Sequence, residues 1–168
     1  MIDMVYAYEN VPTPCFVVEE ELLKKNLKIL RQVREETGCE ILLAQKCFSM
    51  YHVYPLLAQY LSGTTASGLY EAKLGKEYFG GETHVYSAAY RDSEIDELLQ
   101  ICDHIVFNSF TQWKRYRDKA ARCLAKCGLR INPECSTQEG HAIYDPCAPY
   151  SRMGIVREAF DEESLAGS

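Results

Sequence analysis

One feature constrains this chain more than any other: short β-branched or apolar runs alternate with longer amphipathic stretches, with few residues between them. CFVV (Cys15 to Val18) reads as a strand, entered through Pro12-Thr13-Pro14, which biases the chain toward extended backbone. A helix follows, with Leu22, Leu23, Leu27, Leu30 and Val33 on one side and Gly38 just past its end. ILLA (Ile41 to Ala44) is continuous in the way buried parallel strands are, and Pro55 opens a helix carrying Leu56, Leu57, Tyr60 and Leu61. The rhythm goes on through a strand at Gly63 to Ala66, a helix through Tyr78 closed by Gly80-Gly81, and the strand HVYSA (His84 to Ala88). Next come a helix from Ser93 to Cys102, the strand HIVF (His104 to Phe107), and a helix through Leu124 with Ser109 and Gln112 as a capping box. GLRIN (Gly128 to Asn132) closes the series, making six strand candidates interleaved with five helices.

Strict βα alternation with short connections predicts a parallel sheet with helices packed outside it. An open doubly wound sheet and a (β/α)8 barrel share that signature. The barrel is favoured because no GxGxxG follows any strand, and because polar residues recur at the carboxyl ends of strands: Lys46, Ser67, Ser87, Asn108, and Arg130 with Asn132. In a barrel those positions face the site. A whole barrel takes ~250 residues, so 168 residues are expected to form only five to six βα units of one, a single barrel portion spanning 1–168. An unclosed barrel exposes two sheet edges and apolar helix faces, so aggregation, self-association or a rearranged fold is expected. Beyond Asn132 the pattern gives way to PECSTQEGHAIYDPCAPYSRMG, a long loop, and FDEESLAGS could begin another helix.

A net charge of −6 is not that of a nucleic-acid binder. No apolar run approaches the ~18 residues of a membrane span, and MIDMVYAYEN lacks the basic and apolar regions of a signal peptide, which points to the cytoplasm. Eight cysteines contain no CxxC; Cys123 and Cys127 are spaced for one helix face with no histidine beside them, so reduced thiols fit better than a structural metal.

Three places carry chemistry. Lys46 follows the buried run Ile41–Ala44 after a single Gln45; partial desolvation there would free its amine for imine formation, although lysines are also common where strands simply meet solvent. Gly63-Thr64-Thr65-Ala66-Ser67 with Glu71 sets small donors and backbone amides where a cofactor ring or anion could lie, while Ser67 could equally be a plain N-cap. Arg130 sits in an apolar strand and needs an anionic partner, either Glu71, an acid on a neighbouring strand, or a cofactor oxygen. His52, His84, His104 and His141 lie apart; His84 and His104 open strands, where a structural role is expected.

Together, TPCFVVEEELLKKNL, LLAQKCFSM, GTTASGLYEAKLG, HVYSAAY, HIVFNSFTQW, GLRINPE and YDPCAPYSRMG resemble the carboxynorspermidine/carboxyspermidine decarboxylases. These belong to the alanine racemase-like class of pyridoxal 5'-phosphate (PLP) enzymes, which includes ornithine and diaminopimelate decarboxylases. The resemblance runs from about Val11 to Ile155 in the family's order. It implies a partial PLP-binding (β/α)8 barrel, decarboxylation in polyamine biosynthesis, Lys46 as the Schiff-base lysine, and Thr64, Ser67 and Arg130 near the cofactor, Arg130 at its phenolic oxygen. It also implies a homodimer acting on a small polyamine precursor. Thr64 stands where ornithine decarboxylase-like relatives carry an Asp, and Gln45 and Cys47 replace more usual neighbours of the lysine. The family's ring-stacking His, Gly-rich phosphate site, pyridinium-pairing acid and C-terminal β domain fall outside 1–168, so the chain alone is expected not to turn over. Two other readings are a non-catalytic remnant or regulatory partner of a full-length decarboxylase, and a PLP carrier, in which YDPCAPYSRMG has no evident place.

Overall fold

The structure is a computed structural model and describes residues 11–137 and 139–166. Helix α1 (Glu20–Thr37) leads into strand β1 (Leu42–Ala44), the one-turn helix α2 (Tyr54–Leu57), β2 (Gly63–Ala66), α3 (Leu69–Tyr78), β3 (Glu82–Tyr86), α4 (Asp92–Ile101), β4 (His104–Phe107), α5 (Phe110–Ala120) and β5 (Lys126–Leu129); α6 (Glu162–Ala166) follows the long loop. Local chemistry sets these limits. Glu20 and Glu21 lie at the positive end of α1 and Arg34 at its negative end. Gly38 adopts φ 71°, and its N–H donates to the Arg34 carbonyl at 2.8 Å, which ends the helix. Ser109 caps α5 by accepting from the Gln112 N–H.

All four pairings are parallel and the strand order is β1-β2-β3-β4-β5. A doubly wound sheet must reverse its order at a switch point. A sheet that adds each strand on the same side, with right-handed crossovers, keeps every helix on one face. The order therefore decides for an arc of a barrel over the doubly wound alternative.

Two apolar clusters join that face to its helices. Leu27 of α1 is buried with Tyr54, Leu57, Leu61 and Phe79. The larger cluster holds Ala66, Val85, Ile105 and Phe107 of the strands against Leu69, Ile95, Leu98, Leu99 and Trp113 of the helices. Each large side chain fully buried there contributes roughly 1.5–3 kcal/mol. Period-2 alternation sends Thr65, His84, Tyr86, His104 and Val106 to the opposite, open face, where they are half-buried.

Several expectations need correction. Residues 15–18 make no strand: they pair with nothing among the described residues, and Phe16 is fully exposed. Leu22 and Val33 remain exposed on α1. The Pro55 helix is a single turn, and Tyr60 and Leu61 reach the core from turns. β3 starts at Glu82, and β5 ends before Arg130. The capping box is not reciprocal, because Gln112 Oε1 accepts from Asn108 N–H rather than from Ser109. Cys123 lies past α5 and Cys127 in β5, so they share no helix.

The loop beyond Asn132 returns to the sheet. Ile131 and Ile155 form a parallel bridge, with Asn132 N–H donating to Ile155 O and Ile155 N–H to Arg130 O, both at 2.8 Å. Ile155 thus takes a sixth place in the arc, beside β5. Among the described residues, no helix is long and apolar enough to cross a membrane.

Candidate functional site

The carboxyl ends of the five strands lie along one rim, and Lys46, Ser67, Ser87, Asn108 and Arg130 follow the strand ends there. Lys46 occupies the turn directly after β1. That turn is held from below by Gln45, which is buried: its N–H donates to Thr65 O at 3.1 Å, its Nε2 to Glu71 O at 2.8 Å, and its Oε1 accepts from the Tyr54 hydroxyl at 3.2 Å. Cys47 and Phe48 N–H both point back to Ala44 O. Gln45 is therefore not beside the lysine's amine. It is the anchor that presents Lys46 outward. Lys46 itself is exposed rather than partly desolvated, and its amine has no partner among the described residues. Cys47 is exposed as well.

Thr64 is fully buried on the helix face. A Cβ added at Gly75 of α3 would collide with its hydroxyl, so it faces α3 and not the open side. This corrects the expectation that Thr64 lies near a cofactor; its neighbour Thr65 is the one turned to the open face. Ser67 is exposed and does not cap α3, whose N-cap is Gly68. The Ser67 N–H donates to Glu71 Oε2 at 2.6 Å. Glu71 is thereby engaged with Ser67 rather than with Arg130, and it occupies an amide expected to be open to an anion. A cleft of about 420 Å³ separates Ser67 and Glu71 from Ser87 and Arg91.

At the other end of the rim, Arg130 stacks its guanidinium on the Tyr86 ring, 4.6 Å from the centroid. The ion pairs formed among the described residues do not include it. The Tyr86 hydroxyl donates to Asn108 Oδ1 at 2.7 Å, which also accepts from Gly154 N–H at 2.7 Å, while Asn108 Nδ2 donates to Arg152 O at 2.8 Å. Asn108 thus ties β3, β4 and the returning loop together beneath Arg130. Gly154 has φ 83°, and a Cβ there would lie 2.9 Å from Asn132 N and 3.2 Å from Arg130 Cγ, so the loop passes too close for a side chain. Buried Asn132 fixes the loop's start by accepting from Glu134 N–H at 2.9 Å. Tyr86 and Gly154 were missed from sequence alone; the alternation of HVYSA could have placed Tyr86 on the open face. Deeper in the rim the Tyr90 hydroxyl donates to Val106 O at 2.8 Å, and burial pushes its pKa well above the ordinary range.

The rim thus offers an unpaired primary amine at β1 and an unpaired guanidinium beyond β5. Four strand spacings, roughly 19 Å along the sheet, separate their strands. Small residues at Ala44, Gly63, Thr65 and Gly128 leave the face between them open.

No protein-family model matches the chain. Curated relatives do. It is 45% identical over 144 residues to a carboxynorspermidine/carboxyspermidine decarboxylase of Herminiimonas arsenicoxydans, covering 86% of this chain and 39% of that protein. It is 42% identical over 146 residues to a carboxyaminopropylagmatine decarboxylase of Synechocystis, covering 87% and 38%. A carboxynorspermidine/carboxyspermidine decarboxylase of Campylobacter jejuni is 40% identical over 158 residues, covering 94% and 41%. Among solved structures, carboxynorspermidine decarboxylase from Campylobacter jejuni in complex with norspermidine superposes with a TM-score of 0.78 at 38% identity, over 90% of this chain and 38% of the other. The chain spans about two fifths of the length of the relatives it matches.

Proposed function

We propose, from the kinship of this chain with one part of the carboxynorspermidine/carboxyspermidine decarboxylases, that it is the PLP-anchoring part of such an enzyme and contributes Lys46 and Arg130 to its site. The superposition at 38% identity over 90% of the chain, which carries the barrel arc and its rim into register with a decarboxylase, is the observation that supports this most. The substrate class is a polyamine bearing a terminal α-amino carboxylate. The Synechocystis relative's substrate name keeps a guanidine-ended variant of that class within the proposal.

The residues present fit PLP in two respects: a free primary amine suits its aldehyde, and a guanidinium without a carboxylate partner suits an anionic ring oxygen. When bound, PLP supplies the electron sink that decarboxylation requires. Lys46 Nζ, exposed on the turn that the buried Gln45 anchors, is the amine that would hold the group. Arg130, its guanidinium stacked on Tyr86, would offer N–H donors to the ring oxygen, and Asn108 ties Tyr86 to the returning loop. Thr65 and Ser67 line the side nearer Lys46. The pyridinium partner and the phosphate cradle are assigned to residues beyond this chain, and a second subunit of a homodimer to completing the substrate pocket. Turnover is therefore not expected from the 168 residues alone.

The test is complementation. The chain is co-expressed with the remaining three fifths of the Campylobacter jejuni relative, and carbon dioxide release from carboxynorspermidine is followed. The chain alone should give none above background. The pair should restore release, and Lys46→Ala within the pair should lower it at least ~100-fold. No restoration with a co-folded, soluble pair favours the reading of a non-catalytic remnant or regulatory partner.

A further inference from the structure

At the opposite end of the strands from Lys46, the open face carries a cluster that the proposed decarboxylase site does not use. Glu82 and His84 are two residues apart on β3 and so share a face, and His104 on β4 is in register with His84. The two imidazoles stack with centroids 4.1 Å apart at 23°. Their Nε2 atoms address the same carboxylate oxygen: Glu82 Oε2 lies 2.8 Å from His84 and 3.9 Å from His104. One donor atom from each of the three lies within 4.8 Å of the others.

We propose that Glu82, His84 and His104 form a binding site for a borderline divalent cation such as Zn²⁺, Co²⁺ or Ni²⁺. Ligand atoms at tetrahedral bond lengths of ~2.0–2.2 Å stand roughly 3.3–3.6 Å apart; the 2.8 and 3.9 Å separations from Glu82 Oε2 straddle that range, and side-chain shifts of about 1 Å bring all three within it. Two imidazoles and a carboxylate are a donor set suited to these cations and a poor one for Mg²⁺ or Ca²⁺. The ligands are partly exposed, so a cation can enter from the open face and keep a water on that side.

The competing account is a Glu82–His84 hydrogen bond with His104 merely stacked on it. That account leaves His104 Nε2 facing the carboxylate at 3.9 Å with no closer partner among the described residues, a gap that a cation between the three would close. The charged neighbours are Lys126, in register with His104 on an exposed stem, and Asp103, which accepts from Thr83 N–H at 2.8 Å and faces Lys76 at 3.6 Å. A bound cation would clip β3 to β4 at the base of the arc.

Co²⁺ titration of the chelator-treated chain tests this, read by visible absorbance and by thermal melting. One equivalent should bind with a nitrogen/oxygen-type spectrum lacking a thiolate charge-transfer band, and the melting temperature should rise. His84→Asn, His104→Asn and Glu82→Gln should each weaken binding by about 10- to 100-fold or more, whereas His52→Asn and His141→Asn should not. Glu82→Gln keeps the side chain's size, so it guards against loss of fold in the histidine variants. Absence of saturable binding, binding unchanged in all three variants, or a spectrum dominated by thiolate overturns the proposal.

Discussion

Gly63→Ala is expected to destabilise the folded chain by about 3 kcal/mol or more, seen as a lower urea midpoint with an unchanged slope. A Cβ at Gly63 would collide with the Glu82 carbonyl oxygen and lie 2.7 Å from its carbonyl carbon and 2.8 Å from its amide nitrogen. These are backbone atoms of the paired strand, since Gly63 and Glu82 are register partners. No rotamer change relieves the clash, so β2 and β3 must part at the very start of their ladder. Gly128→Ala is the control: its nearest neighbour would be Val106 Cγ2 at an ordinary 3.5 Å, and its effect should stay within about 0.5 kcal/mol. Equal effects at the two positions would mean that the β2–β3 approach is looser than described.

Asn108→Ala is expected to cost about 2 kcal/mol and to free the loop at 152–154. Three hydrogen bonds are lost, each worth ~0.5–1.5 kcal/mol net; Gly154 N–H loses its acceptor and the Tyr86 hydroxyl keeps only Met153 Sδ at 3.5 Å. Amide exchange at Gly154 should accelerate sharply, while exchange in α4 should hardly change. Asn108→Asp keeps the acceptor and loses only the donor to Arg152 O, so it should fall between the two. If Gly154 exchange in Asn108→Ala matches the unsubstituted chain, Asn108 is not the tie beneath Arg130.

How far the sequence could be read followed how local each determinant is. Gly38 ends α1 because its N–H and positive φ act within one turn, and β2 and β4 fall where they were expected because both are short runs with paired or adjacent β-branched residues between turn signals. CFVV has the composition of a strand, yet a strand exists only when another pairs with it, and none of the described residues does. Thr64 was misjudged for a different reason. GTTA contains no polar–apolar alternation, so nothing within it says which threonine faces the helices. That parity is set from eleven residues away, where Gly75 brings α3 close enough to bury Thr64. Gln45 and Lys46 make the same point: both are polar at a strand end, and only the Tyr54 hydroxyl and the Glu71 carbonyl reveal that one is an anchor and the other is free. Strand order separated the barrel arc from a doubly wound sheet, a choice that βα alternation leaves open. His84 and His104 lie twenty residues apart in sequence and meet only because β3 and β4 pair in parallel register.

The central claim is that Lys46 is the anchoring amine, and its most direct test uses the purified chain with added PLP. Borohydride reduction followed by peptide mass spectrometry locates the modified lysine. Selective modification at Lys46, lost in Lys46→Ala and retained in Lys126→Ala, is the predicted result. Modification spread evenly over the surface lysines, with Lys46 no more reactive than Lys24 or Lys126, would contradict it.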